Sequence, residues 1–205
     1  MTKKTSMEKI IDPIAIADEI VQLFDKYGSA DYIGEVVSQI QHMTQCARLA
    51  QQAGQDEDII LAALLHDIGH LCEYMMPTRR MNEFGVVDHE ELGHEYLFER
   101  GFSKKICKIV SSHVKAKRYL TFKYPHYFDL LSTASKETLQ LQGGVMSAEE
   151  AYYFEKDPLF QYYIMLRKWD DQSKNPNLRP MPIQQFRSMI IRHLEIEMQK
   201  KSALN

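Results

Sequence analysis

The segment Leu64-Leu65-His66-Asp67-Ile68-Gly69-His70 ends an apolar run with three side chains able to bind a metal. Burying His66 and Asp67 without partners would cost several kcal/mol, on the order of 2–7 per unsatisfied polar group. A metal offsets that cost. Neutral imidazole with carboxylate suits iron, manganese or zinc, and an adjacent His-Asp pair can serve two neighbouring ions if the carboxylate bridges them. Taken alone, the dipeptide also fits a helix C-terminal cap with a hydrogen-bonded core pair. Further candidates are His42 on the second expected helix, His89 at the start of the fourth and His113 on the apolar face of the fifth, and each alone could be an ordinary core histidine. Asp170 follows Trp169 on a face otherwise formed by Leu159, Tyr163 and Leu166. There an unpaired carboxylate is out of place unless it binds a cation or pairs with Arg167 or Lys174 at helical spacing.

These residues need helices to position them. Asp12-Pro13 supplies a cap and a proline at the first helical position, and Ile16, Ile20, Leu23 and Phe24 recur at helical spacing up to Gly28. A second helix carries Val37, Ile40, His42, Ala47 and Ala50 and stops at Gly54. A third, capped by Asp56 or Asp58, covers Ile59 to Leu65 and is apolar nearly all round, which predicts a central position. Residues Met75 to Val87 read as a loop or lid. A helix from about Asp88 to Arg100 opens with His89, and Ser103 starts another with Ile106, Ile109, Val110 and His113 on one face. Tyr119 to Phe128 reads as an aromatic connection, followed by a helix from Leu131 to Leu141. Ser147 with Glu150 forms a capping box, Asp157-Pro158 opens a helix reaching Lys174, and a closing helix spans about 183–200. Strand alternation is missing, so the expected fold class is an all-α helical bundle, one domain over residues 1–205 with a short lead-in over 1–11.

Taken in order, His42, His66-Asp67, His89, His113 and Asp170 resemble the ligand order of dinuclear HD-domain proteins. That resemblance implies one ion held by His42, His66 and Asp170, a second held by His89 and His113, and Asp67 between them. It extends further, through Asp31-Tyr32-Ile33-Gly34-Glu35, His113 to Leu120, Leu131 to Ser135 with Gln142-Gly143-Gly144, and Arg167-Lys168-Trp169-Asp170. Together these motifs resemble the HD-domain mixed-valent diiron oxygenases that cleave carbon–phosphorus bonds. The resemblance implies an HD-domain helical bundle, two iron ions in a mixed-valent Fe(II)/Fe(III) state, and dioxygen as co-substrate. It also implies that a 1-hydroxy-2-aminoethylphosphonate, or an N-methylated analogue, is converted to a carboxylate and phosphate. Tyr32 and Glu35 would form a gate, with tyrosine at the open iron position and glutamate holding it until it meets the substrate ammonium.

A doubly charged phosphonate needs cations and donors. Lys117 lies one turn beyond His113, His70 one turn beyond His66, Arg167 is close to Asp170 on one helix, and Ser135 offers a hydroxyl, so these four are candidate substrate contacts. Two other chemistries fit the same ligands: a metal-dependent phosphohydrolase, for which the Tyr32–Glu35 loop has no evident use, and a polyol oxygenase resembling inositol oxygenase. A regulatory domain with an idle site is disfavoured because every expected ligand is present.

Composition sets the outer bounds. A formal charge of −3 provides no basic field for nucleic acid or anionic lipid, so a small-molecule partner is expected. Three scattered cysteines, with no CxxC pair, argue against a disulfide framework and fit a reducing cytoplasm. No stretch has the length and apolarity of a membrane span, and the lysine-rich start has no signal-peptide core.

Overall fold

The computed structural model describes residues 11–32, 34–75 and 86–203. Most of the expected loop over Met75–Val87 therefore lies outside the described residues. The fold is all-α. Among the described residues there are twelve α-helices and one 3-10 turn, and the only extended pairing is a single bridge between Asp31 and Ser38.

Helix α1 (Pro13–Tyr27) starts as its sequence dictates, with the Asp12 carboxylate accepting from the Ile14 and Ala15 backbone N–H groups ahead of a proline that has no N–H to satisfy. Helix α2 (Gln39–Gln52) opens with a Ser38–Gln41 capping box, and α3 (Glu57–Leu65) is capped by Asp56 through Ile59 N–H at 2.9 Å. Every residue of α3 from Ile59 to Leu65 is buried, because α2, α6 (Lys104–Val110), α11 (Phe160–Gln172) and α12 (Gln184–Ser202) all pack against it. Helix α12 closes the bundle by lying along α1. Its buried His193 accepts from Ser103 N–H through Nε2 and pairs through Nδ1 with Asp58 at 2.8 Å. Asp58 thus ties α3 to α12, and the cap belongs to Asp56.

Beyond α3 the chain turns at His66-Asp67 into the short α4 (Ile68–Leu71) and a 3-10 turn (Cys72–Tyr74). Helix α5 (His89–Glu99) then packs across α4. Gly69 permits this crossing, since a Cβ there would lie 1.9 Å from the His89 carbonyl oxygen.

Two expected boundaries are corrected. His113 does not continue the helix begun at Ser103: α6 ends at Val110, Ser111 and Ser112 turn the chain, and His113 opens α7 (His113–Lys123). The Ser112 hydroxyl donates to the Lys108 carbonyl at 2.6 Å, which offers the backbone an alternative to continued helix. The aromatic connection is also largely helical, Tyr119 to Lys123 within α7 and then α8 (Tyr127–Leu130), because Tyr119 packs on Phe154 and Phe160. Helix α9 (Thr133–Leu141) and α10 (Ala148–Glu155), the latter with its Ser147–Glu150 box, complete the set. Among the described residues no helix is long and apolar enough to cross a membrane.

Candidate metal centre and substrate cavity

The bundle brings His42 from α2, the His66-Asp67 turn after α3, His89 from the start of α5, His113 from the start of α7 and Asp170 from α11 into one buried centre; none is more than 4 % exposed. Asp67 lies at its middle. Its Oδ2 faces His42 Nε2 and His66 Nε2, each at 3.4 Å, and its Oδ1 faces His89 Nε2 at 3.4 Å and His113 Nε2 at 3.2 Å. Asp170 Oδ1 joins the first group, 3.4 Å from His42 Nε2 and 4.0 Å from His66 Nε2. The six residues therefore divide into two sets about the two oxygens of Asp67.

The hydrogen bonds on the outer side of the rings identify what the inner side presents. Nδ1 of His42, His66 and His113 points at the carbonyl oxygens of Ser173, Ala63 and Val110, at 3.0, 2.9 and 2.7 Å. A carbonyl only accepts, so each Nδ1 carries the hydrogen and each neutral ring turns an Nε2 lone pair inward. His42 and His66 oppose these atoms at 3.1 Å, and His89 and His113 bring their Nε2 atoms to 3.0 Å. Among the described residues neither Asp67 oxygen has a hydrogen-bond donor. Buried lone pairs and carboxylate oxygens converging without donors form a donor set for cations, and its N and O composition suits a first-row transition metal. His42, His66 and Asp67 can offer ligand atoms to one ion, as can Asp67, His70 and His89.

Charge balance agrees. Burial opposes ionisation of Asp67, but His66 beside it and the close approach of the His113 and His42 rings hold it well below the usual carboxylate range. Burial likewise opposes a charged Asp170, and the Arg167 guanidinium outweighs it. His66 is pushed up in turn, the Asp67 charge overcoming its burial.

A cavity of about 540 Å³, counted out to its open mouth, adjoins the centre and is lined by Tyr32, Glu35, His70, Lys117, Ser135 and Arg167 among others, so all six expected gate and substrate residues reach one space. Their engagements differ from expectation. The Tyr32 ring stacks on His42, centroids 4.0 Å apart and 12° from parallel, in front of the centre. Burial, then the charges of Asp67 and Asp170, keep its phenol well above its ordinary range, so it stays protonated. Glu35 does not hold the Tyr32 hydroxyl; its carboxylate accepts from Ser132 Oγ and Lys174 Nζ, both at 2.5 Å. Gly34 guides it there, at φ 78° and packed so closely that a Cβ would meet Ala134 Cβ at 2.6 Å.

Arg167 is also already occupied. It donates to Asp170 Oδ2 at 2.8 Å, to Asp171, and to the Tyr127 hydroxyl at 3.1 Å, so it orients the Asp170 carboxylate. His70 stacks on His89, centroids 4.0 Å apart, and accepts from Val86 N–H. Lys117 is different. Buried at 3 % exposure, its Nζ bonds only to Thr138 Oγ1 at 2.9 Å and the Ser135 carbonyl at 3.3 Å, with no carboxylate partner among the described residues. Burial, then the Arg167 charge, bring its pKa down to about 7.

Sequence reading gave no role to Thr138 or Gln39, placed Gln142 only within a motif, and offered Lys174 as a partner of Asp170, whereas it pairs with Glu35. Ser135 and Thr138 on α9 and Gln142 at its C-cap form a polar stripe at helical spacing, a signal that was present; among the described residues Gln39 and Gln142 each leave a buried side-chain oxygen without a partner beside the cavity. Nothing local marks Lys174 as the partner of Glu35, 139 residues away in the chain.

The model of the HD domain matches residues 40–153, a span that contains His42, His66-Asp67, His89 and His113. The chain belongs to the HD-domain family. Its relatives include an uncharacterised protein of Acanthamoeba polyphaga mimivirus, 46 % identical over 189 residues, which cover 92 % of this chain and 85 % of the relative. The [1-hydroxy-2-(trimethylamino)ethyl]phosphonate dioxygenase (glycine-betaine-forming) of Leisingera caerulea is 40 % identical over 188 residues, 89 % of this chain and 92 % of that protein. The hydroxymethylphosphonate dioxygenase of Gimesia maris is 36 % identical over 180 residues, 87 % and 85 % respectively. This HD-domain protein thus resembles phosphonate dioxygenases over most of its length.

Proposed function

We propose that this HD-domain protein is a non-haem diiron oxygenase that cleaves the carbon–phosphorus bond of a small 1-hydroxyphosphonate with dioxygen. The atoms balance as R–CH(OH)–PO3H2 + O2 → R–COOH + H3PO4: the C–H and C–P bonds break, and carbon and phosphorus each gain a bond to oxygen. His42, His66 and Asp170 would hold one iron, His89 and His113 the other, with Asp67 serving both. The observation that carries this reading is the buried Asp67 carboxylate, which has no hydrogen-bond donor among the described residues while its two oxygens face two sets of inward imidazole nitrogens. Iron would supply the redox capacity that dioxygen chemistry requires and zinc lacks.

The protein's own groups supply binding and protection. Lys117, held by the Thr138 hydroxyl and the Ser135 carbonyl, presents an ammonium to a phosphonate lying against the centre. Tyr32, protonated and stacked on His42, covers the centre until a ligand displaces it. Arg167 keeps one Asp170 oxygen engaged so that the other points inward. The names of the Leisingera and Gimesia relatives support phosphonate as the substrate class, with 1-hydroxy-2-aminoethylphosphonate, its N-methylated analogues and hydroxymethylphosphonate as the compounds to assay.

The test is phosphate release by anaerobically purified, iron-loaded protein. Release should require dioxygen, and one atom of labelled dioxygen should enter the carboxylate. Release from a phosphate ester at full rate without oxygen, supported by zinc or magnesium, would establish hydrolysis instead.

A further inference from the structure

The cavity has two electrostatic poles, and they are not equally available. At one, Lys117 lacks a carboxylate partner among the described residues and is open to an anion. At the other, Glu35 is already occupied: Lys174 Nζ lies 2.5 Å from its Oε1, and the Ser132 hydroxyl donates to the same oxygen. The pair is shielded, with the Lys174 side chain 15 % and the Glu35 side chain 10 % exposed, so the attraction is less screened than at an open surface. Lys174 also lies 3.1 Å from Ser132 Oγ and 3.4 Å from Ser135 Oγ, which gives each of its three N–H groups a partner.

An ammonium arriving at Glu35 would meet a like charge in place. It would have to displace Lys174 or share one carboxylate with it. A quaternary ammonium has no N–H with which to replace the bonds that Lys174 makes to Glu35 and the two serines. A ligand with no cation on its second carbon meets neither difficulty.

We propose that Lys174 is a specificity-determining residue: a resident ammonium on Glu35 that sets the cavity toward 1-hydroxyphosphonates without a cationic group on the second carbon and against ammonium-bearing ones. This rests on the phosphonate reading above. The balance of charge carries it, since among the described residues the one cavity carboxylate besides Asp170, Glu35, is neutralised by the chain itself.

Ethylphosphonate and 2-aminoethylphosphonate test it, because neither has the 1-hydroxyl that the proposed reaction uses, so neither should be turned over. Titration calorimetry on the iron-loaded protein gives the ratio of their dissociation constants. The wild type should bind ethylphosphonate at least as tightly. In K174M the ratio should move toward the ammonium ligand by about tenfold or more, the scale of removing one close like charge, and in E35Q/K174M that shift should vanish. K174Q, which keeps a hydrogen-bonding side chain without the charge, should move the same way and serves if K174M melts abnormally. An unchanged ratio in a natively melting variant, or a strong wild-type preference for the ammonium ligand, overturns the role of Lys174 and leaves the phosphonate reading standing. If neither ligand binds the wild type, the phosphonate reading falls and this one with it.

Discussion

His42 Nε2 and His66 Nε2 lie 3.1 Å apart, although both rings have committed their Nδ1 hydrogens to backbone carbonyls and present lone pairs to each other. Without a metal this contact is relieved only by protons, and the Asp67 and Asp170 carboxylates do raise the pKa of His42 against the effect of its burial. Metal binding should therefore release protons and weaken as pH falls. Chelation should lower the melting temperature. Metal at about a thousand times its dissociation constant contributes about 4 kcal/mol, or roughly 8–16 °C for a chain of this size. Calorimetry with and without chelator, repeated in two buffers of different ionisation enthalpy, measures both effects; a chelator-insensitive melt would count against the centre.

Lys117 carries a pH dependence whose sign is opposite to that of most lysines. Burial and Arg167 lower its pKa to about 7, while Asp170 and Asp171 act upward and Lys174 downward. As the free protein passes above pH 7 this residue loses its proton, so phosphonate binding should take one up and should weaken with rising pH. Lys117→Met should remove that dependence and raise Kd at neutral pH by about 10- to 100-fold, in line with a lost charge-assisted contact. Stability should move the other way. The unfolded chain holds this proton up to about pH 10, so the wild type gains stability from pH 7 to 10, and the variant should be the more stable below pH 7, on the order of a few kcal/mol. Proton-uptake calorimetry and denaturant melts at pH 6 and pH 9 check these signs.

Arg167 should behave as a residue that positions Asp170. Its guanidinium serves Asp170, Asp171 and Tyr127 at once, so Arg167→Met strands two carboxylates, one fully buried, at a cost of about 3–5 kcal/mol. Iron affinity should fall about 10- to 100-fold, as for lost outer-sphere support. Metal titration of the variant separates this from a direct phosphonate contact, which would raise the Kd for ethylphosphonate and leave iron binding intact.

Gly69→Ala tests how the second set of imidazoles is delivered. The added methyl would sit 1.9 Å from the His89 carbonyl oxygen, so α4 and α5 must part and carry His89 away from Asp67. Overpacking of this kind costs about 1–3 kcal/mol. Iron content should drop toward one ion per chain. Two ions bound with wild-type affinity would show that the crossing tolerates the methyl.

Much of this architecture is written locally. Asp12-Pro13, Asp56 and Ser147 with Glu150 cap α1, α3 and α10 through bonds that span two or three residues, so composition alone predicts them. The centre is legible only in part for a related reason: ionisable side chains in apolar surroundings demand a partner, which marks His66, Asp67, His113 and Asp170, whereas the full set with His42 and His89 rests on the resemblance to the ligand order of dinuclear HD-domain proteins. Other matters depend on contacts between distant segments. The Ser112 hydroxyl bond to the Lys108 carbonyl permits a break before His113 locally, and the packing of α6 on α3 and α5 while α7 packs on α11 goes with it. The division of the centre about the two Asp67 oxygens, the commitment of Arg167 to Asp170 and Asp171, and the pairing of Lys174 with Glu35 follow from where distant segments meet, with α11 packed on both α2 and α7. The chain's residue types settle which side chains must be neutralised, because burial energies are local. The tertiary structure decides which opposite charge does so, because electrostatic partners are chosen by distance in space and no spacing along the chain encodes it.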